Sequence, residues 1–335
     1  MNKKLLAAAI TAALAAPMAA QADVSVYGRA SLSYDHVDSS GTTTTTIGDD
    51  RGNTRLGVRW SEDLGDGMKA LGEFEFAPVD ASSANTPKGQ NFYQRQTWAG
   101  IKGGFGQIEI GTILQPYKYS GGVGYDAFVG TIAEARGNDG GMLSSHFGQG
   151  GYMGNAIAYR NKFGAVSFAI AYSPDEGGDG LYQGSKGDMN ASLKFGFSGG
   201  EVGVAYSKND NATGITGPEG EQNSKIFGKY SFGASTVLAQ YETSSANGAS
   251  VEGGAVGEDV KVMFLGYQFK MGMNTLAVQL GKTTYDGATD DRKYMALGGI
   301  HHFSKKTAAY IGYRTTKQDP STDIKGYAIG LIESF

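Results

Sequence analysis

Short turns recur along this chain at intervals of about 35 residues, and that period limits its fold more than any other feature. Phe163-Gly164, Phe197, Phe232-Gly233, Phe269 and Phe303 each end an alternating run and precede a short Gly, Ser or Lys turn. Phe335, the last residue, falls where the next turn would come, and Phe105-Gly106 and Leu64-Gly65 take the same role earlier. Seven such turns and one terminus predict sixteen strands. Each interval has room for two strands of about ten residues, one tight turn and one longer loop, the layout of an all-β transmembrane antiparallel barrel.

Alternation within the intervals agrees. Val166, Phe168, Ile170 and Tyr172 share one face of a strand, with Ser167, Ala169 and Ala171 on the other. Met263, Leu265, Tyr267 and Phe269 repeat the pattern, as do Val202, Val204 and Tyr206. Gly41 to Asp50, Asp175 to Asp188, Asn209 to Glu221 and Ser244 to Gly257 read as long loops, rich in Gly, Ser, Thr, Asn and Asp. A soluble β-sandwich would also alternate, but it requires neither an even strand count nor a last strand ending on an aromatic residue. Pairing of that strand with Val24 to Val37 would close the barrel and leave no open edge in hydrocarbon.

The mean hydropathy of −0.29 is compatible with a membrane barrel, because only alternate residues of each strand face lipid. Residues 1–22 read as a cleaved secretory signal: Lys3 and Lys4, an apolar stretch from Leu5 to Ala16, then Ala20-Gln21-Ala22. The barrel would then comprise 23–335, one domain in the outer membrane after export through the periplasm. The chain has no Cys, which excludes disulfides and thiolate chemistry, and its net charge of −4 argues against nucleic acid as a partner.

The interval from Phe105 to Phe163 is out of step, and its excess, Gln115 to Gly151, is the third long loop. It either folds into the lumen and narrows it or lies on the outer surface. The width of a sixteen-stranded barrel favours the first. Alternation places basic residues on the lumen wall. Arg29 lies opposite in parity to Val24, Val26 and Leu32, and Arg55 and Arg59 opposite to Leu56, Val58 and Trp60. Glu73 and Glu75 alternate with Phe74 and Phe76 and also point inward. Arg95 begins the fourth strand, where alternation leaves its side open. Basic and acidic groups facing one another would set a transverse field across a narrow pore.

Asp23-Val-Ser-Val-Tyr-Gly-Arg29, Asn53-Thr-Arg-Leu-Gly-Val58, the run from Arg95 to Gly106, Tyr159-Arg160-Asn161 and the terminal Phe335 together resemble the general diffusion porins of Gram-negative bacteria. The resemblance spans 23–335. It implies a homotrimer of sixteen-stranded barrels that passes ions and small hydrophilic solutes, with the third loop folded inward. It also implies wall arginines at Arg55 and Arg95, a first-strand basic residue at Arg29, acidic loop groups at Asp126 and Glu134, and an assembly signal at Phe335. Where many relatives carry another arginine before the Tyr-Arg-Asn segment, this chain has Tyr152.

No enzyme site, cofactor site or metal site is expected. Gly281-Lys282-Thr283 lacks the glycine a phosphate-binding loop needs, since Leu276 stands there. His301 and His302 are adjacent on a strand and point to opposite faces. A barrel hydrolase or a structural, adhesive barrel are the competing readings. Acidic residues near the outer strand ends, among them Asp49, Asp50, Asp175, Glu258, Asp259, Asp290 and Asp291, suggest divalent-cation bridges to lipopolysaccharide.

Overall fold

A computed structural model describes residues 22–49, 53–78, 92–136, 141–142, 151–174, 187–209, 221–245, 258–287, 289–318 and 322–335. The expected leader lies outside these residues, apart from Ala22. The described chain is all strand but for loops, turns and one 3-10 turn at Gly122–Gly124. The strands are β1 (Asp23–Ser39), β2 (Thr42–Asp49), β3 (Arg55–Gly65), β4 (Met68–Pro78), β5 (Phe92–Gly103), β6 (Gly106–Leu114), β7 (Tyr152–Phe163), β8 (Val166–Ser173) and β9 (Asp188–Phe197). They continue as β10 (Gly200–Asn209), β11 (Glu221–Phe232), β12 (Ser235–Ser245), β13 (Val260–Met271), β14 (Asn274–Tyr285), β15 (Arg292–His302), β16 (Thr307–Gln318) and β17 (Thr322–Ser334).

Strands that follow one another in the chain pair antiparallel, except β2 and β3, which both pair with β1, and β17 returns to β1 with Leu32 opposite Leu331. The sheet is therefore closed. β2 and β3 pair with successive halves of β1, from Ser39 opposite Thr42 down to Asp23 opposite Ser61, so they form one interrupted strand of a sixteen-stranded barrel. This corrects the expectation of a loop from Gly41 to Asp50. Thr42 to Thr46 are small and polar like a loop, but their β-branched side chains favour the pleated backbone. The reversal is confined to Ser40 and Gly41, both at positive φ (51° and 89°), as a tight hairpin of this twist requires. A second small shift lies at Phe269, where β13 runs on to Met271 before turning at Gly272.

The two faces of the barrel differ as the alternation predicts. Tyr327, Ile329, Leu331 and Phe335 are about half exposed, whereas Ala328 between the first two is fully buried. At the short-turn end aromatic rings form a collar, with Phe195, Phe197, Tyr230 and Phe232 stacked in series at centroid separations of 6.1–6.5 Å. The chain end is sewn into the first strand: Phe335 N donates to Gly28 O at 3.1 Å and Gly28 N to Phe335 O at 3.2 Å. A Cβ on Gly28 would overlap the Phe335 ring, so glycine leaves the ring its place on the outer face.

Candidate functional site

The site is built between the inward faces of the strands and the segment that leaves β6. On β3, inward parity brings up Arg55 and Arg59, and on β4 it brings up Glu73 and Glu75. Arg59 Nη2 meets Glu73 Oε1 at 3.2 Å, and Arg55 Nε meets Glu75 Oε2 at 3.6 Å. Arg95 reaches the same Glu75 at 2.6 Å. Its side, which simple alternation leaves open, follows from a bulge: Glu75 pairs with Gln96 and Phe76 with Gln94, so Arg95 is the extra residue of its strand. Tyr27 of β1 donates its hydroxyl to Glu73 and Glu75, while the Arg59 guanidinium lies 3.9 Å over the Tyr27 ring. Two buried carboxylates thus hold three arginines as one array. Arg29 stands directly across from Arg55 in the neighbouring strand.

The acidic loop residues bind groups of the loop itself and of β14. Asp126 accepts from Phe128 N, Ala135 N and Gln279 Nε2 at 2.8–2.9 Å. Glu134 accepts from Gly130 N and pairs with Arg136. Both are buried, and desolvation raises both carboxyls above their ordinary values. Their local backbone donors and the adjacent Arg136 take up the charge, so they organise the loop.

The described part of that loop, 115–136 with 141–142, rests against the inward parity of strands β9 to β16. Tyr117 donates its hydroxyl to Glu242 at 2.7 Å, and its backbone N to Asn190 Oδ1 at 2.6 Å. Lys225 covers the Tyr117 ring at 3.6 Å. Gly122 N donates to Gln240, Ala127 N to Gln279, Tyr294 OH to Ala133 O and Thr283 Oγ1 to Met142 O, all at 2.6–2.8 Å. Inward glycines let the loop approach closely: a Cβ on Gly298 would come within 2.8 Å of Phe128, and one on Gly312 within 2.9 Å of Ala133. Gly281, part of the discarded phosphate-loop pattern, lies under the Met142 side chain.

On its other flank the loop offers a cation that the sequence reading missed. Lys118 is 5% exposed, its ammonium 4.4 Å over the Tyr152 ring, and the Arg95 guanidinium sits 5.4 Å from the same ring. Burial together with Arg95, Arg136 and Arg55 lowers the Lys118 ammonium to about 7. Tyr152 thus serves as a platform between two cations. Composition gives no sign of Lys118, because its neighbours come from β5 and β7. The amides Gln240 and Gln279 had a faint signal, as long neutral polar side chains at inward positions between outward apolar residues.

The acidic residues of the outer strand ends do not gather. Asp291 pairs with Lys282 at 2.7 Å and Glu258 accepts from Thr289 N, and no metal-sized group of acids or histidines occurs among the described residues. Asp50 and Asp175 lie outside them.

Known proteins place this architecture. The family model for the Gram-negative porin matches residues 7–321. Outer membrane porin protein 32 of Delftia acidovorans is 28% identical over 100% of this chain and 96% of its own length. The major outer membrane protein P.IB of Neisseria gonorrhoeae is 27% identical over 92% of each chain. The anion-selective porin from Comamonas acidovorans superposes with a TM-score of 0.77 at 19% identity, covering 94% of this chain and 100% of its own. OmpF of Salmonella typhi, in complex with daunomycin, superposes at 0.75 with 16% identity over 93% and 97%. The closed barrel with its lipid-facing apolar surface and charged interior therefore belongs to the Gram-negative porin family, the passive diffusion channels of the outer membrane.

Proposed function

We propose that this porin is an anion-preferring passive pore whose constriction lies between the third long loop and the wall bearing Arg29, Arg55, Arg59 and Arg95. The observation that carries this reading is the charge balance of that wall. Four guanidiniums share the inward face with two carboxylates, Glu73 and Glu75, while Asp126 and Glu134 are consumed inside the loop. Lys118 adds to the excess from the facing side. A field of that sign, within one Debye length (about 8 Å) of the wall, concentrates anions and repels cations. The related porin from Comamonas acidovorans is named for anion selectivity, in accord with this reading.

Passage needs no covalent step, and the chain acts as a channel with no enzymatic role, residues 1–22 being removed on export. Homotrimerisation, contact with lipopolysaccharide and a role for Phe335 in assembly complete the proposal, and the trimer form of Vibrio cholerae OmpT supports the first. Planar-bilayer recording in a salt gradient tests the whole. Stepwise conductance with a reversal potential on the anion side is expected. Cation preference would overturn the assigned constriction, and a bilayer without conductance would favour a structural barrel.

A further inference from the structure

At the short-turn end of the lumen, loop residues 127–131 leave a cavity of about 280 Å³ against β1 and β15 to β17. We propose that this cavity binds a small monocarboxylate with an apolar body, such as a single ring or branched chain. Its floor is Phe128, Ile300, Tyr310 and Ile332, an apolar surface on the inward parity of strands that elsewhere carry polar groups to the lumen. Phe128 and Tyr310 are almost fully buried. Its rim is cationic, with Arg29 from β1 and Lys305 and Lys306 from the turn between β15 and β16, beside His302. No carboxylate lines it.

This pairing of surfaces selects the ligand class. A bare inorganic anion would meet the cations but leave the floor unused, and a neutral apolar solute would leave the rim without its counter-charge. A carboxylate joined to one apolar group satisfies both. The volume lies at the lower edge of ligand cavities, roughly 300–1,000 Å³, which suits one ring or branched chain better than an oligosaccharide or an acyl lipid. The turn is fixed in place, because Ser334 N donates to Lys306 O at 2.8 Å and Ser304 Oγ accepts from Lys306 N and Thr307 N at 3.0 Å. The backbone that carries the rim is thus set in advance of binding, which limits part of the ordering cost of association.

The inference goes beyond passive conduction and is tested apart from it. Titration calorimetry of the detergent-solubilised full chain at low salt would compare benzoate, acetate and benzamide. Benzoate should bind at least about tenfold more tightly than either control, because only it uses both floor and rim. Lys305→Gln/Lys306→Gln should weaken benzoate about tenfold while leaving acetate and benzamide as weak as before. Ile300→Asn should weaken benzoate through the floor alone, and added chloride should compete. Three probes that bind alike, or benzoate affinity unchanged in both variants, would overturn the site. Chloride conductance of the same preparations is read separately: variants that conduct but lose benzoate leave the pore assignment intact, and benzoate binding without conductance would refute only the pore.

Discussion

The two flanks of the third loop are built from different chemistry. Towards β9 to β16 it meets mostly amides, tyrosines and glycines, with Glu242 and Lys225 about Tyr117; its backbone N–H groups donate to Asn190, Gln240 and Gln279, and Tyr294 OH donates to Ala133 O. Towards β3, β5 and β7 it meets charge, through the Lys118 ammonium and the ring of Tyr152, with one long contact from Asn53 Nδ2 to Val129 O at 3.4 Å. Buried neutral hydrogen bonds fix a backbone at little electrostatic cost, whereas ion pairs open to the lumen on their cationic side add less stability and much field. On the proposed reading, holding the loop and acting on the solute fall to opposite sides. Altering one side at a time tests that division.

The largest effect is expected from filling the seat. Gly312→Val puts a branched side chain where a Cβ alone comes within 2.9 Å of Ala133. The Ala133 Cβ cannot rotate away, so the loop backbone must lift. Overpacking of this kind costs about 1–3 kcal/mol. A lowered thermal midpoint in detergent and a noisy, larger single-channel conductance should result. A quiet conductance of normal size would show that the loop is not held from this side.

Removal of a single anchor comes next. Gln279 is buried, and its side-chain amide accepts from Ala127 N at 2.6 Å and donates to Asp126 Oδ1 and Tyr294 OH at 2.9 Å each. Gln279→Ala leaves these groups without that partner in a buried place, a loss of about 1–3 kcal/mol. Arg59→Gln on the opposite flank removes a half-exposed ion pair and should cost about 1 kcal/mol or less. Comparable losses from the two substitutions, measured by thermal melting, would contradict the division.

How far the sequence discloses these flanks depends on the range of the interactions. The sixteen strands are legible because each short turn and aromatic strand end is a local feature repeated at one period. Thr42 to Thr46 show the limit of composition, since small polar residues suit a loop and β-branching suits a strand, and only pairing with β1 decides. The arginine array is legible by alternation at Arg55, Arg59 and Glu73, and fails at Arg95 because a bulge breaks the period. The local partners of Asp126 and Glu134 are not legible, because a carboxylate's position in a glycine-rich loop says nothing of whether nearby backbone N–H groups bind it. The anchoring flank was hidden. Its partners stand far apart in the chain, as with Tyr117 and Glu242, and the glycines that seat the loop look like those of any strand.

On the charged flank, Arg55→Gln/Arg95→Gln should move the reversal potential towards cations with a stability change smaller than that of Gln279→Ala. Glu75 would lose two of its cationic partners, and the wall's excess of guanidiniums would vanish. Asp126→Asn should leave the reversal potential near its original value, since that carboxylate is enclosed by Gln279 and the loop backbone. A large shift in the second variant with none in the first would exchange the roles of the flanks. Both measurements belong at low salt, where screening between mobile ions and the wall is weakest.

The smallest expected effect is also the one most specific to Lys118. Its ammonium faces Arg95 and Tyr152 from the wall, Tyr119 from its own loop, and the charges of Arg55, Arg136 and Glu75 further off. Burial and the three guanidiniums disfavour its proton, which leaves in the folded protein near pH 7 and in the unfolded chain near 10.4. The sign for stability follows: between those values the unfolded chain binds the proton and the fold does not, so stability rises with pH across that window. For permeation the sign is opposite in appearance. Below pH 7 the folded pore carries one more positive charge opposite the arginine array, and anion preference should increase as pH falls from 8 to 6. Lys118→Met keeps the stem over Tyr152 and removes the titration, so its reversal potential should stay flat across that range while Arg59→Gln retains the step. An equal step in Lys118→Met would assign the titration to another group and leave Lys118 as a packing residue on the loop's charged flank.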